Sequence, residues 1–401
     1  MRAGTGLLNA AISNRPIGLY ALWTPKAARV PVRSNAPELP GRLPFLSSLA
    51  GAEPESRCRS LMEMNVPTLA DLGWKPVFSV QVSAEEDQQC QPVRVMAVHR
   101  GMISVAGEGL EAMISPRISN SQGEEDRPTV GDWLLIDRES REVMRILTRV
   151  NLFKRPAPGH GRSIQLIAAN VDTLFIVASC NQDFSVPRLE RYLVLAREVG
   201  VTPVVVLTKI DLTDEPEAFR EAARELQPGL QVELVNARDP ASVARLAGRC
   251  GLGETVALLG SSGVGKSTLV NSLRGSDSIL TQAVREIDGK GRHTTTVREM
   301  HRLDQGGWLM DTPGMREFQI SDATSGIAEV FDDIVALTLE CRFTNCSHEA
   351  EPGCAIQAAM AQGTLTLTRL ERWRKLSAED IVNTDSLAER RSRTRGAGKR
   401  K

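Results

Sequence analysis

Residues 260–268 read Gly-Ser-Ser-Gly-Val-Gly-Lys-Ser-Thr, and no other stretch restricts the fold of this 401-residue chain so tightly. The spacing is G-x4-G-K-[ST]. Glycines let the backbone curl until its N–H groups converge on one anion, at a helix N-terminus that already favours negative charge. Such a loop works between a strand and a helix. Both neighbours are present: the apolar run VALLG (256–260) precedes it, and Lys266 to Leu273 follows as a helix candidate. Gly260, Ser261, Ser262, Gly263, Val264 and Gly265 are therefore read as a cradle for nucleotide phosphates. Lys266 is placed to reach the β- and γ-phosphates, Ser267 to ligate Mg²⁺, and Thr268 completes the motif. A chance match would not bring a strand and a helix with it.

The surrounding rhythm is strand, helix, strand. VDTLFIVAS (171–179), VTPVVVLT (201–208) and VELVNA (232–237) are apolar strand runs, with helices expected over Pro187–Gly200 and near Glu215–Leu226. Alternation of this kind implies a parallel sheet covered by helices on both faces, with ligands at the carboxyl ends of its strands. At one such end stands Thr208-Lys209-Ile210-Asp211. It resembles the guanine-specificity motif [NT]-K-x-D of GTPases. Asp211 can accept from guanine N1–H and the exocyclic amino group together, a pair that adenine does not offer. The Lys209 stem can lie along the base. Thr208 replaces the more usual Asn, which is expected to weaken one side-chain bridge to the phosphate loop. Asn236 and Ala237 follow their strand where a base-backing motif belongs. Asp311-Thr312-Pro313-Gly314 fits D-x-P-G, in which Asp311 holds Mg²⁺ through water and the Gly314 N–H meets the γ-phosphate. Gly291 to Thr296 lies between the two and fits a first switch, with Thr295 the expected Mg²⁺ ligand. The guanine motif thus precedes the phosphate loop, the reverse of the usual order. A circular permutation accounts for this, and compact domains tolerate one.

Upstream, VFSVQV (77–82), VRVMAV (93–98), MISVAG (102–107) and DWLLID (132–137) read as short strands. About five strands in this span suit a small barrel, of which the oligonucleotide-binding (OB) barrel is one solution. Downstream, Cys341, Cys346, His348 and Cys354 fall within 14 residues. Three thiolates and one imidazole make a closed, structural zinc site the expectation, one ion per chain. The seven cysteines, three of them in this cluster, otherwise read as reduced thiols. Forty-nine basic and 49 acidic residues cancel, so global charge selects no partner, and no apolar run approaches a membrane span. Arg390 to Lys401 holds seven basic residues and no acid, read as a solvated tail or a phosphate-seeking arm. Arg2, Arg15, Lys26, Arg29 and Arg33 stand in an acid-free start. Residues 1–61 are expected to be a disordered or mis-called extension, with an organellar transit peptide as the alternative.

Taken in this order, the motifs resemble the ribosome small subunit-dependent GTPase A family (RsgA/YjeQ/EngC), over about residues 65–376. Leu72-Gly73-Trp74, Val130-Gly131-Asp132 and Ala168-Ala169-Asn170-Val171-Asp172 belong to the likeness, as do Gly291-Arg292-His293-Thr294-Thr295 and the metal cluster. The resemblance implies a multidomain protein: an OB-like β-barrel (62–152), a circularly permuted α/β P-loop GTPase domain (153–322), a small α-rich zinc domain (323–378) and a basic tail (379–401). It implies GTP/GDP, the small (30S) ribosomal subunit and 16S rRNA as partners, a cytoplasmic monomer, and a role late in subunit assembly. Met315 stands where many GTPases carry a water-orienting glutamine, and a thioether cannot do that work. Slow intrinsic hydrolysis is expected, with His293 the candidate for positioning the water. A guanine-nucleotide binding module with negligible turnover is the alternative.

Overall fold

The computed structural model describes residues 67–118, 123, 125–156, 164–275, 298–311 and 323–397. Contacts divide the chain into two units, Met1–Met62 and Glu63–Lys401, and every described residue lies in the second.

The first departure from expectation is at 77–82, where alternation predicts a strand. The chain instead forms helix α1 (Pro76–Ser79), with Lys75 extended as its N-cap. Proline is pre-set for a first helical turn. The alternation was misleading because only Phe78 is buried, against Trp74 and Trp133, while Val80 is 83% exposed. Helix α2 (Ala84–Gln89) starts from a capping box. Ser83 Oγ accepts from the Glu86 N–H (3.2 Å), and the Ser83 N–H donates to Glu86 Oε2 (3.0 Å). Arg145 also binds that carboxylate, and together these bonds hold Glu86 down to about 2.

Strands β1 (Cys90–Val98), β2 (Ile103–Gly107), β3 (Leu110–Ile114), β4 (Trp133–Asp137) and β5 (Val143–Ile146) pair antiparallel in the order β3-β2-β1-β4-β5. Ile118, beyond β3, makes a parallel bridge to Val143 of β5. Val93, Val95, Ile103, Val105, Ile114, Leu134 and Ile136 fill the interior. Strands β6 (Leu152–Pro156) and β7 (Ile164–Ala169) form a hairpin, so β6 runs across the expected division at 152/153. Strand β7 leads into Asn170, held at φ 57° in the left-handed region. Asn tolerates that conformation, and here its side chain is bonded on both atoms. Asn170 Oδ1 accepts from the Val150 N–H (2.8 Å), and Nδ2 donates to the Gly131 carbonyl (3.0 Å).

Next come β8 (Thr173–Ser179), α3 (Val186–Val199), β9 (Thr202–Thr208), α4 (Pro216–Arg224), β10 (Gln231–Leu234), α5 (Pro240–Val243), β11 (Thr255–Leu259), α6 (Lys266–Leu273), β12 (Arg298–Arg302) and β13 (Trp308–Asp311). Strands β10, β9, β8, β11 and β13 are parallel in that order. Alternate residues of β8 enter different cores. Leu174 and Ile176 meet α3 and α4, while Phe175 and Val177 meet α5 and α6. A strand buried on both faces reads as an unbroken apolar run, which is why TLFIVAS was legible.

Strand β12 runs antiparallel to β13 and also pairs β1 at Ala97–Glu299, so one continuous sheet joins the upstream strands to the parallel ones. Arg94 locks this junction from inside. Its guanidinium donates to the Leu72 carbonyl, to the Asn170 carbonyl (3.3 Å) and to Thr255 Oγ1 (2.8 Å). Burial lowers its pKa only to about 10, so it stays charged at neutral pH. Gly131 sits in the same seam at φ 86°, and a Cβ there would lie 2.2 Å from the Ala169 carbonyl oxygen. Finally α7 (Thr324–Val330), α8 (Asp332–Leu339), α9 (Ala355–Gln362) and α10 (Leu367–Ala397) pack through Ile327, Phe331, Ile334, Ile356 and Leu370. Helix α10 carries the chain across 378/379 and takes in part of the basic run expected as a tail.

Candidate nucleotide site and metal centre

The phosphate loop stands where its composition requires, between β11 and α6, at the carboxyl edge of the parallel sheet. A Cβ on Gly260 would sit 2.3 Å from the Val177 carbonyl oxygen, so the loop must leave β11 on glycine. Gly265, the N-cap of α6, has φ 94°, a conformation that favours glycine. Buried Val264 anchors the loop inwards, with Leu269 and Val270 on the buried face of the helix. Lys266 Nζ donates to the Gly260 carbonyl (2.8 Å) and to the Ser261 carbonyl. Ser262, Gly263, Ser267 and Thr268 complete the turn and the first helical residues.

Strand β9 delivers Thr208 to the same edge, fully buried. Its hydroxyl is 2.5 Å from the Val264 carbonyl and 3.1 Å from that of Ala178, and donates its single proton to the nearer. The bridge expected to be weakened by threonine is therefore made, with a shorter side chain. Lys209 follows at φ 57° and caps a 3₁₀ turn, Ile210–Leu212, which presents Asp211 to solvent beside the loop-bearing edge. Asn236 and Ala237 leave the end of β10, and the Ala237 carbonyl accepts from Ser272 Oγ of α6 (2.6 Å). Asn236 accepts through Oδ1 from the Arg238 N–H (3.0 Å), while its own N–H donates to Ser242 Oγ (2.9 Å).

Thus 208–211, 236–237 and 260–268 converge. Sequence reasoning missed Ser272 and Ser242, which stitch the 236–237 loop in place. Ser272 carries no local signal, since it reaches its partner across 35 residues. Asp311 ends β13, adjacent to β11. His293, Thr295, Gly314 and Met315 lie outside the described residues.

Thr208→Ala isolates the Val264 carbonyl. It is expected to lower stability by about 1.5 kcal/mol and to weaken binding of both GTP and GDP. Urea unfolding and nucleotide titration check this, and Thr208→Asn should restore both.

The second cluster is Cys341, Cys346, His348 and Cys354, whose ligand atoms all lie within 4.8 Å of one another. Cys341 Sγ is 3.5 Å from His348 Nδ1 and 4.0 Å from Cys354 Sγ, and Cys354 Sγ is 3.7 Å from His348 Nδ1. His348 has a left-handed φ of 61°. Its carbonyl is clamped by Gln357 Nε2 of α9 (2.6 Å) and Arg374 Nη2 of α10 (3.0 Å), and Trp373 packs edge-on at 6.2 Å. Held conformations of this kind persist only where the surroundings impose them.

A protein-family model described as RsgA GTPase matches residues 146–321. The small ribosomal subunit biogenesis GTPase RsgA of Mesorhizobium japonicum is 50% identical over 321 residues, covering 79% of this chain and 91% of the relative. The corresponding RsgA 2 of Vibrio vulnificus is 46% identical over 332 residues, covering 83% and 93%. Among solved structures, YjeQ from Thermotoga maritima aligns with TM-score 0.54 at 24% identity, over 73% of this chain and 99% of that one. YloQ, described as a circularly permuted GTPase, aligns with TM-score 0.50 at 25% identity, over 76% and 96%. The permuted order of motifs is thus a property of the fold, and the chain belongs to the RsgA family of GTPases.

Proposed function

We propose that this protein binds the small (30S) ribosomal subunit and acts late in its assembly, hydrolysing GTP to GDP and phosphate with stimulation by the subunit. The observation that carries the reading is the junction of Thr208 with Val264, which joins the guanine-reading motif to the phosphate loop across 56 residues. Asp211 and the Asp311-Thr312-Pro313-Gly314 segment count against an ATP-driven enzyme that merely owns a phosphate loop. Co-sedimentation with 30S particles in GDP and in a non-hydrolysable GTP analogue, alongside hydrolysis with and without 30S, tests it. Nucleotide-dependent binding and stimulated turnover are expected. Binding with no turnover would leave a switch module rather than an enzyme.

The five-strand order β3-β2-β1-β4-β5, with its bridge from Ile118 to Val143, supports reading the upstream strands as an OB barrel. The likeness to the family supports 16S rRNA as the surface contacted, action as a monomer in the cytoplasm, and domains divided near 152, 322 and 378. Among the described residues no helix is long and apolar enough to cross a membrane.

Two ions belong to this reading. Ser267, Thr295 and Asp311 would hold Mg²⁺ with the nucleotide, and the ion supplies charge neutralisation on the phosphates. The Cys₃His set would hold zinc. Tetrahedral Zn–S bonds of about 2.3 Å set ligand atoms roughly 3.8 Å apart. The spacings of 3.5, 3.7 and 4.0 Å among Cys341, His348 and Cys354 fit, and Cys346 Sγ lies within 4.8 Å of all three.

His293 is proposed to position the attacking water, because Met315 can neither donate to it nor strongly accept from it. His293→Ala is expected to bind GTP and 30S normally and to lose about 100-fold of the 30S-stimulated single-turnover rate. A fall in 30S binding in step with the rate makes His293 a contact residue instead.

A further inference from the structure

The geometry points to Arg188, which no motif singles out, as a positioning residue of the phosphate loop; this rests on reading residues 260–268 as the nucleotide site. Arg188 stands in the first turn of α3. Its Nη1 donates to the Asp183 carbonyl (3.2 Å) and to Ser261 Oγ (2.8 Å), so both protons of that nitrogen are engaged. Ser261 is the second residue of the loop, directly after Gly260, and its carbonyl accepts from Lys266 Nζ. The arginine therefore grips the loop at its entry, from an element outside it, and sets a fixed positive charge beside a site for polyanions.

The helix that carries Arg188 is itself held by the C-terminal helices. Two residues along, Glu190 is fully buried, and its carboxylate pairs with Arg369 (3.1 Å) and Arg372 (3.0 Å) of α10. Arg191 pairs with Glu379 further along α10. Arg369 also donates to the Val330 carbonyl (2.8 Å) and lies 4.5 Å over the Phe331 ring. At the other end of α3, Glu198 accepts from Ser325 Oγ (2.8 Å) and from the Gly326 N–H (2.9 Å). A Cβ on Gly326 would lie 2.3 Å from the Val194 carbonyl oxygen, so α7 crosses α3 in direct backbone contact. Buried ion triads contribute little net stability compared with apolar replacements, and their best-attested use is to define register. The register they define here is that of α10 on the helix whose first turn holds the phosphate loop, while the Glu198 bonds seat α7 on its far end. Arg188 positions the loop, and the seating of the C-terminal helices on α3 positions Arg188.

Titration of the full-length protein with GDP and a non-hydrolysable GTP analogue tests both links. Arg188→Ala and Ser261→Ala are each expected to raise Kd about threefold to tenfold, the double variant raising it no further than the larger single change. Arg188→Lys, which keeps the charge and a donor, recovers most of the loss. Glu379→Gln is expected to raise Kd about twofold with metal content unchanged, and its partly exposed site accepts the isostere without unfolding. An unchanged Kd in Arg188→Ala, or additive effects in the double variant, overturns the assignment. An unchanged Kd in Glu379→Gln overturns the link to the C-terminal helices. If the unsubstituted protein binds neither nucleotide, the reading of the nucleotide site itself fails.

Discussion

Cys346→Ala is expected to abolish metal binding, to release the 341–354 segment, and to remove association with 30S particles while sparing nucleotide affinity. The size of the effect follows from what the segment lacks. None of residues 341–353 is buried, so the segment has no apolar core of its own. Structural zinc sites draw roughly 10–16 kcal/mol of apparent free energy from the ion, and such segments lose their fold without it. Glu351 helps locally by accepting from the N–H groups of Glu349 (3.0 Å) and Ala350 (3.1 Å), but exposed bonds of this kind cannot hold a loop of that length. Helices α7, α8 and α10 keep the packing of Ile327, Phe331, Ile334 and Leu370, so the grip on α3 should survive. Elemental analysis, limited proteolysis and co-sedimentation read the three consequences separately. Full metal content in the variant would remove Cys346 from the ligand set.

Asp211→Asn is expected to weaken GTP binding by about 30-fold to 150-fold, the equivalent of about 2–3 kcal/mol for a lost pair of charge-assisted hydrogen bonds. Affinity for xanthine nucleotides should rise, because an amide can donate where the purine now offers a carbonyl. The side chain is exposed on its 3₁₀ turn and takes no part in the core, so the loss should appear in binding and leave stability within about 0.5 kcal/mol. Parallel titrations with GTP and XTP decide it. Equal affinity for GTP in the variant and the unsubstituted protein would sink the assignment of Asp211 as the base reader.

The parts of this protein that were legible in the sequence are those whose chemistry is local. The phosphate loop needs its glycines, lysine and hydroxyl within nine positions, because one curl of backbone must surround one anion. The metal cluster is confined to 14 residues, so its spacing reports its geometry. Strands β8 and β9 were legible because burial on both faces demands continuous apolar runs. Short strands β3 and β5 are not located from the sequence, since LEAMI and VMRI expose part of one face and carry weak patterns. Helix α1 was misread because alternation in VFSVQV came without burial.

The order of the motifs, and with it the permutation, is written in the sequence, as are the residue types proposed here for phosphate, base and metal. Tertiary structure alone decided how those pieces are held to one another. Thr208 meets Val264 across 56 residues, Arg188 meets Ser261 across 73, and Arg94 reaches Thr255 across 161. None of these contacts has a period or a spacing. A hydrogen bond between distant segments leaves no pattern along the chain. The packing of β8, β9 and β11 side by side brings Thr208 to Val264, and the run of pairings from β1 through β12 and β13 to β11 brings Arg94 to Thr255.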